Sequence, residues 1–291
     1  MTDLERDERA GAFHAHRPLL FSIAYRMLGS AADAEDIVQE AFLRWQGADA
    51  DAVRSPRDYL STTVTRLAVD HLRSARVRRE VYVGPWLPEP LVGVDERDPL
   101  ADVALADSLS TAFLLLLERL SPSQRAAFLL REVFGYDYAE VARMLQTTEA
   151  NCRQLLQRAR RRIADGRPRF DADREAATSL ARRFAHACAT GDVQQLVAML
   201  ATDAVAWADG GGKFSAARRP VRGSERVSRF IASVLQKWRT AGVVRVAPVS
   251  GGAGVVFELD GRRAGVLTVA ADAGAIRSVY LVMNPDKLRT G

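Results

Sequence analysis

The clearest amphipathic segment of the chain is SAADAEDIVQEAFLRWQ, which runs from Ser30 to Gln46. Its apolar residues recur at three-and-four spacing, the period of a helix with one buried stripe. They are Ile37, Val38, Ala41, Phe42 and Trp45. Ser30 or Asp33 is expected to cap this helix by accepting hydrogen bonds from its free N–H groups. The polar side chains on the other side are Asp36, Gln39 and Glu40. The pattern therefore predicts a short helix with one acidic, solvated face.

Apolar stripes predict further helices on both sides of this segment. Residues 4–28 are predicted to form one or two helices that end at Gly29, because glycine favours the helix stop position. The small and polar residues from Gly47 to Pro56 indicate a loop. Another helix is predicted from Pro56 to about Glu80, so residues 8–80 are interpreted as one all-α domain.

A second all-α domain is predicted over residues 108–166. Ser121 and Pro122 are residue types that favour the start of a helix. The segment YDYAEVARMLQTTEANCRQLLQRARRRI is typical of a helix-turn-helix, with Thr148 capping the second helix. The outward residues of that helix are long and polar, as side chains that read DNA bases are. They are Glu149, Asn151, Arg153, Gln154, Gln157 and Arg158.

Residues 81–107 are predicted to be a linker between the two helical domains. They contain four prolines, two glycines and a cluster of acids, so we expect an extended segment that packs no core of its own. Trp86 and Leu87, within WLPEPL, are unusual in such a linker. An apolar pair of this size favours docking onto another surface.

The remaining residues, 173–291, show a different pattern. Helices are predicted at Asp173–Gly191, Asp192–Leu200 and Glu225–Trp238. The runs VVRVAPV, GVVFELDG, RAGVLTVAAD and AIRSVYLVMN then predict strands separated by glycine-rich turns. Helices followed by an antiparallel sheet indicate an α+β domain.

Composition limits the class of protein. Apolar residues make up 48% and charged residues 26%, which is typical of a soluble globular chain. No apolar run approaches the roughly 20 residues that span a bilayer, and the first residues do not resemble a signal peptide. We therefore expect a cytoplasmic protein with no membrane partner. The two cysteines and four histidines have no metal-ligand spacing, so no metal or cofactor is expected.

The net charge of +5 is unevenly distributed along the chain. The segment from Arg54 to Glu80 contains seven arginines and three acids, and the segment from Arg153 to Arg169 contains seven arginines and one acid. An acidic segment separates these two basic segments. The distribution predicts two separate contacts with a polyanion such as DNA.

The sequence DAEDIVQEAFLRW resembles the core-binding helix of region two in bacterial sigma factors, in particular the extracytoplasmic-function group. The resemblance implies that this helix docks on the clamp helices of the RNA polymerase β′ subunit. The docking positions carried over from the family are Asp36, Gln39 and Glu40, with Asp33 and Glu35 as flanking charges. Carboxylates and an amide at these positions suit Arg and Lys on a partner helix.

Two further segments resemble the promoter-binding parts of the same family. YLSTTVTRLAVDHLRSARVRRE resembles the −10 helix, whose preceding loop captures a flipped base while cations lie near phosphates. The residues implied for the −10 side are Arg54, Arg57, Arg66, Arg73 and Arg76. The helix-turn-helix resembles region four, the −35 reader, and its outward residues listed above are implied in that contact.

AWADGGGKF and the GSERVSRFI helix resemble the SnoaL-like cone, a relative of ketosteroid isomerase. That fold usually encloses a pocket, and two interpretations stay open. An enzyme would need a buried acid or base, for which Asp203, Asp209 and Glu258 are the candidates. A regulatory or ligand-sensing module would need none, and it could take a small-molecule ligand.

WLPEPL, DGGGK and NPDKL occur together in the sigma subgroup with a fused SnoaL-like extension, which this chain resembles. That extension is thought to modulate the sigma core in place of a separate anti-sigma protein. The implied interdomain residues are Trp86, Leu87, Asp209, Gly210, Gly211, Gly212, Lys213, Asn284, Pro285, Asp286 and Lys287. By itself DGGGK is typical of a flexible loop tip with a charge at each end, and NPDKL of a tail.

The sequence thus predicts an alternative sigma factor that binds polymerase core and promoter DNA and catalyses no covalent chemistry. Its predicted architecture is two all-α sigma domains followed by an α+β SnoaL-like cone. A helix-turn-helix regulator that works without polymerase remains an alternative. So does an enzyme of the SnoaL class fused to a DNA-binding domain.

Overall fold

A computed structural model describes residues 3–49, 53, 55–79, 82–93, 106–164, 174–272 and 274–288. The chain divides into two compact units. The first contains Met1–Arg78 and Leu116–Gly166, and the second contains Arg79–Leu115 and Arg167–Gly291. Within the described residues, no helix has the length and apolar character that crossing a bilayer requires.

The first unit is all-helical. Its helices are α1 (Asp3–Leu28), α2 (Ala31–Gln46), α3 (Pro56–Arg79), α5 (Pro122–Phe128), α6 (Tyr138–Met144) and α7 (Glu149–Ala164), with α4 (Thr111–Leu117) crossing the boundary between the units. The predicted one or two helices before Gly29 are a single helix, although Pro18 lies inside it. The helix ends where Gly29 takes a φ of 67°, a left-handed conformation that glycine adopts without strain.

Local capping decides where these helices begin. The Ser30 side chain accepts a hydrogen bond from the Asp33 N–H, so Ser30 is the cap of α2. Ser121 and Gln124 form a reciprocal capping box at α5, with Pro122 in the first turn. The Thr148 hydroxyl accepts from the N–H of Asn151 at 3.2 Å and caps α7. The caps predicted at Ser121 and Thr148 are confirmed.

A buried arginine holds the interior of the first unit together. Arg125 is 3% exposed, and its guanidinium donates to the carbonyl oxygens of Leu117 and Met27 at 3.0 and 2.7 Å. It also forms an ion pair with Glu118 at 2.7 Å. One side chain therefore satisfies carbonyl groups of α1 and of the last residue of α4, together with the Glu118 carboxylate, which suits the multiple donors of a guanidinium.

The second unit contains a six-stranded sheet with helices packed against it. Its helices are α8 (Arg174–Thr190), α9 (Val193–Met199) and α10 (Ser224–Ala241), and its strands are β1 (Leu200–Asp209), β2 (Val221–Arg222), β3 (Val243–Val249), β4 (Gly252–Leu259), β5 (Arg262–Asp272) and β6 (Ala275–Val282). The strand order is β2-β1-β6-β5-β4-β3. The predicted α+β class is confirmed.

The four strands predicted after Trp238 are confirmed as β3 to β6, and they pair antiparallel in chain order, but the prediction missed β1 and β2. Strand β1 precedes α10, and it pairs in parallel with β6, so the sheet is mixed. The inward positions of β1 include Ala204, Ala206 and Ala208, which are all buried. Alanine contributes little apolar contrast, so the alternation that marks a strand is weak there.

Both faces of the sheet carry a core. Neighbouring residues of β4 divide between them: Val255 and Phe257 belong to the cluster under α8 and α10, whereas Val256 belongs to the other. This second cluster includes Leu87 of the linker segment, which is 1% exposed. Val92 adds a bridge to Val249 at the end of β3. Residues 87–90 of the linker are therefore buried, with Leu87 in the core of the second unit, and none of the described residues 82–93 lies in a helix.

Candidate functional site

Helix α2 presents a polar face opposite its buried stripe. Ile37, Val38 and Trp45 are buried, whereas Asp36, Gln39 and Glu40 are exposed. Glu40 is paired along the helix with Arg44 at 2.9 Å. Asp36 and Gln39 have no side-chain partner among the described residues. Leu43 follows on the same side and is 55% exposed, so the face combines polar groups with one large apolar side chain.

The flanking acids of α2 contact neighbouring helices of the same unit. Glu35 forms an ion pair with Arg17 of α1 at 2.5 Å, and Asp33 lies 3.6 Å from His71 of α3. At the other end of the helix, the Trp45 indole donates to the Arg9 carbonyl at 2.9 Å. These contacts fix the orientation of α2 on its domain.

The arginines predicted for the −10 side are partly occupied within the first unit. Arg66 donates to the carbonyl oxygens of Arg143 and Met144, both at 2.9 Å, at the end of α6. Arg57 lies 5.5 Å from the ring centre of Tyr136.

Arg73 is exposed and paired with Asp70 at 3.0 Å. Arg54 and the side chain of Arg76 lie outside the described residues. Of the described candidates, Arg57 and Arg73 are exposed, whereas Arg66 is half-buried.

Helix α7 has the form expected of a recognition helix. Cys152, Leu156, Ala159 and Ile163 are buried, and the outward residues predicted from the sequence are exposed. Arg153 pairs with Glu149 at 2.8 Å and lies 4.9 Å from the ring centre of Tyr138. Asn151 donates to Thr147 at 2.8 Å. The other exposed members of the set are Gln154, Gln157 and Arg158.

In the second unit, Asp209 brings together the linker and the residues after β6. Its carboxylate is fully buried. It accepts hydrogen bonds from the Tyr82 hydroxyl at 2.5 Å, from the Leu87 N–H at 2.9 Å and from the Gly211 N–H at 3.0 Å. It also pairs with the Lys287 ammonium at 2.7 Å. We call these residues, with Asn284, the Asp209 cluster.

Lys287 is the only positive charge that the structure assigns to this carboxylate within the described residues. Its ammonium also donates to the Leu87 carbonyl at 2.5 Å and lies 4.3 Å from the ring centre of Trp86. The side chain is 11% exposed. A buried charge needs a partner and hydrogen bonds, and here each charge supplies both to the other.

The glycines after Asp209 allow the backbone to turn in close contact with Asn284 and Phe214. Gly211 has a φ of 59°, and a Cβ there would lie 2.3 Å from the Asn284 side-chain nitrogen. At Gly210, a Cβ would lie 2.3 Å from the Phe214 carbonyl oxygen. Alanine would therefore be strained or crowded at both positions.

DGGGK differs from the predicted loop tip with a charge at each end. Of the two charged ends, Asp209 is buried and Lys213 is exposed, and the Lys213 ammonium pairs with the Asp286 carboxylate at 2.5 Å. The residues after β6 are also ordered: Pro285–Lys287 form a 3-10 turn, and Leu288 is buried.

Tyr82 is a member of the Asp209 cluster that the sequence analysis missed. Burial, followed by its hydrogen bond to the Asp209 carboxylate, raises the pKa of this phenol above its ordinary value of 10.0. Asn284 donates to the same hydroxyl at 2.9 Å. The position of Tyr82 in VYVGPWLPEP, four residues before Trp86, is the sequence signal that could have placed Tyr82 in this cluster.

The acids considered for catalysis have structural partners. Asp203 accepts two hydrogen bonds from Arg277, at 2.8 and 2.9 Å, and is exposed. Glu258 pairs with Arg245 at 2.8 Å. The third candidate is Asp209, whose four donors are described above.

Comparison with known proteins supports the assignment of the two helical parts. The model of Sigma-70 region 2 matches residues 12–78, and that of Sigma-70, region 4 matches residues 110–163. The ECF RNA polymerase sigma factor SigJ of Mycobacterium tuberculosis is 41% identical over 286 residues, which cover 94% of this chain and 91% of that relative. The probable ECF RNA polymerase sigma factor SigI of the same species is 33% identical over 288 residues, or 98% and 96% of the two chains.

A solved structure is similar over most of the chain. The crystal structure of the Mycobacterium tuberculosis extracytoplasmic function sigma factor SigJ matches with a TM-score of 0.75 and 39% identity, covering 96% of this chain and 97% of that one. Regions 2 and 4 together define a protein of the sigma-70 class, which directs promoter-specific initiation of transcription. This chain belongs to the ECF RNA polymerase sigma factors. The match to that structure includes the C-terminal α+β unit.

Proposed function

We propose that the chain docks on the β′ clamp helices of RNA polymerase core through the exposed face of α2 and reads the −35 element with α7. The observation that carries the first part is the row Asp36, Gln39 and Glu40, exposed on a helix whose opposite face is buried and whose ends are fixed. Acidic side chains on a rigid helix suit a basic partner helix, and they set orientation more than affinity.

Charge reversal tests the docking face. Asp36→Arg with Glu40→Arg should abolish co-purification with core polymerase and promoter-specific transcription. It should leave the free energy of unfolding within about 0.5 kcal/mol, because exposed substitutions rarely change it more. Asp7→Arg with Glu8→Arg makes the same charge change at exposed positions of α1, outside the region 2 match, and serves as the control. Equal losses in the two variants would refute the assignment.

We also propose that the C-terminal domain modulates the sigma regions in cis, so that a separate anti-sigma protein is not required. The support is that residues 82–93, part of the predicted linker, are held by the second unit through Leu87 and the Asp209 cluster. Holding this segment shortens the part of the linker that is free to extend. The reach of the linker sets how far regions 2 and 4 can separate, and this separation must suit the distance between the promoter elements.

Removal of the residues from Asn284 onward tests this proposal. The deletion takes away Lys287 and its contacts with Asp209 and Trp86. We expect transcription in vitro from promoters of altered −35 to −10 spacing to change relative to the intact chain, while core binding is kept. An unchanged preference for spacing would contradict modulation in cis.

We propose that the SnoaL-like domain acts by contact and not by catalysis. Its candidate acids are engaged by Arg277, Arg245 and the donors of the Asp209 cluster. Between the helices and the sheet, the Trp238 ring stacks on Phe214, with ring centres 5.9 Å apart, and lies tilted against Phe257, with ring centres 5.7 Å apart, so aromatic side chains fill this region. A ligand would have to displace them. As a partner of RNA polymerase, the chain acts in the cytoplasm.

A further inference from the structure

The C-terminal domain carries a concentration of positive charge that the sigma regions do not explain. Between residues 218 and 229, the sequence RRPVRGSERVSR contains five arginines and one acid. All five arginine side chains are exposed. We call them the arginine strip: Arg218, Arg219, Arg222, Arg226 and Arg229.

The strip is held on regular structure. Arg222 lies in β2, an edge strand paired to β1, and its Cα is opposite Val205. Arg226 and Arg229 lie in the first two turns of α10. Val227 and Ile231, together with Ser228, form the buried side of that helix, so the arginines point away from the core. Arg226 and Arg229 share one helix face and rise about 4.5 Å along the axis.

Acidic partners are scarce at this strip. Arg229 pairs with Glu225 at 3.2 Å, and both side chains are largely exposed. The other four have no hydrogen bond or ion pair with any described residue. Arg245 and Arg277, on the sheet, each face a carboxylate. Protection of the edge strand from pairing with another chain needs fewer charges than this, and β2 is already only two residues long.

We propose that the arginine strip binds the phosphate backbone of promoter DNA and so gives the C-terminal domain a direct contact with the template. A row of cations binds a polyanion without reading sequence, because each neutralised phosphate releases counterions. Consecutive phosphates of one strand are about 3.4 Å apart along the duplex axis, which is comparable to the rise between Arg226 and Arg229.

The covalent connection favours DNA over other polyanions. Ten residue steps separate Ala164, the end of α7, from Arg174, the start of α8. A chain of that length spans at most about 36 Å. This is about one helical turn of DNA, so a duplex held by α7 stays at high local concentration around the start of the C-terminal domain.

The test measures binding of the full chain to a fluorescent 60-base-pair duplex of random sequence across a salt series. Arg222→Gln with Arg226→Gln should lower the slope of log affinity against log salt by about 2, because two phosphate contacts are lost. The loss of affinity should then be about 12-fold larger at 50 mM than at 200 mM salt. Arg182→Gln with Arg183→Gln removes the same charge from exposed positions of α8 and should leave the slope unchanged.

Other outcomes would overturn the proposal. An unchanged slope of log affinity against log salt in the strip variant would rule out DNA as the partner. If the variant lost binding to phosphatidylglycerol vesicles but kept DNA binding, the partner of the strip would be a membrane surface. If the variant self-associated and bound DNA as before, the role of the arginine strip would be to prevent the edge strand β2 from pairing with another chain. Equal changes of the slope in the strip variant and in the α8 control would show that only the net charge of the chain affects DNA binding, not the position of the arginines. Co-purification with core polymerase, measured in parallel, is expected to be unchanged and separates this result from the docking face of α2.

Discussion

Lys213 of DGGGK and Lys287 of NPDKL should contribute very unequally to the attachment of the linker. Lys287→Met removes the ammonium that faces the buried Asp209 carboxylate at 2.7 Å, as well as its contacts with Leu87 and Trp86. Breaking a buried ion pair from one side typically costs 3–5 kcal/mol, because the remaining charge is left uncompensated. Asp209 keeps three hydrogen-bond donors, so the lower end, about 3 kcal/mol, is expected.

Hydrogen exchange of the Leu87 amide measures this loss directly, because that N–H donates to Asp209. A loss of about 3 kcal/mol should accelerate its exchange on the order of 100-fold, at 1.36 kcal/mol for each factor of ten. Lys213→Met is the matched control. Lys213 and its partner Asp286 are 56% and 44% exposed, and such a pair contributes about 0.2–1 kcal/mol. The same amide should therefore exchange less than about fivefold faster in the control.

A double substitution tests the cause. With Asp209→Asn added to Lys287→Met, the buried charge is gone, and the combined loss should be smaller than the sum of the two single losses by about 0.5–3 kcal/mol. Additive losses would show that the ion pair is not the reason. Equal effects of the two lysine variants would refute the reasoning from burial.

Three further predictions concern single positions. Gln154→Ala should change the preferred −35 sequence at a cost of about 1–3 kcal/mol, whereas Arg158→Ala should weaken binding to all sequences alike, as competition binding with a −35 library would show. In Tyr82→Phe, the free energy of unfolding should fall less steeply above about pH 10 than in the wild type. The raised pKa makes folded Tyr82 keep a proton that the unfolded chain releases, so a chemical denaturation series at alkaline pH would detect the difference. Gly211→Ala should lower the melting temperature of the C-terminal domain in calorimetry, because its φ of 59° and the approach of Asn284 both oppose a Cβ; an unchanged value would mean the turn relaxes.

What local sequence determines was predictable here. The caps at Ser121 and Thr148 depend on contacts three residues away, and both were found from residue type and spacing. The buried stripes of α2 and α7 follow from helical periodicity for the same reason. The direction in which β1 pairs with β6 depends on residues far apart in the chain, and no spacing rule encodes it.

Long-range polar contacts explain the remaining differences. Asp209 was interpreted as a charged loop end, but its partners Lys287, Leu87 and Tyr82 are 78, 122 and 127 residues away. Arg66 was assigned to DNA from its place on a basic helix, yet its guanidinium donates to carbonyl oxygens 77 and 78 residues away. A charged side chain in a sequence indicates that a partner is needed, and only the fold says which one.

The Asp209 cluster also has an order of assembly in time. Leu87 and Lys287 are 200 residues apart, so at 5–20 residues per second the ribosome adds Lys287 about 10–40 s after Leu87. While residues 164–287 are being added, both sigma regions are already synthesised, and Trp86 and Leu87 have no ammonium to join them to the Asp209 carboxylate. A growing chain is therefore a sigma factor whose linker is still unattached, and synthesis of the last strand and the turn after it completes the attachment. Slow translation of the C-terminal domain would lengthen the period in which the linker of the nascent protein is unattached.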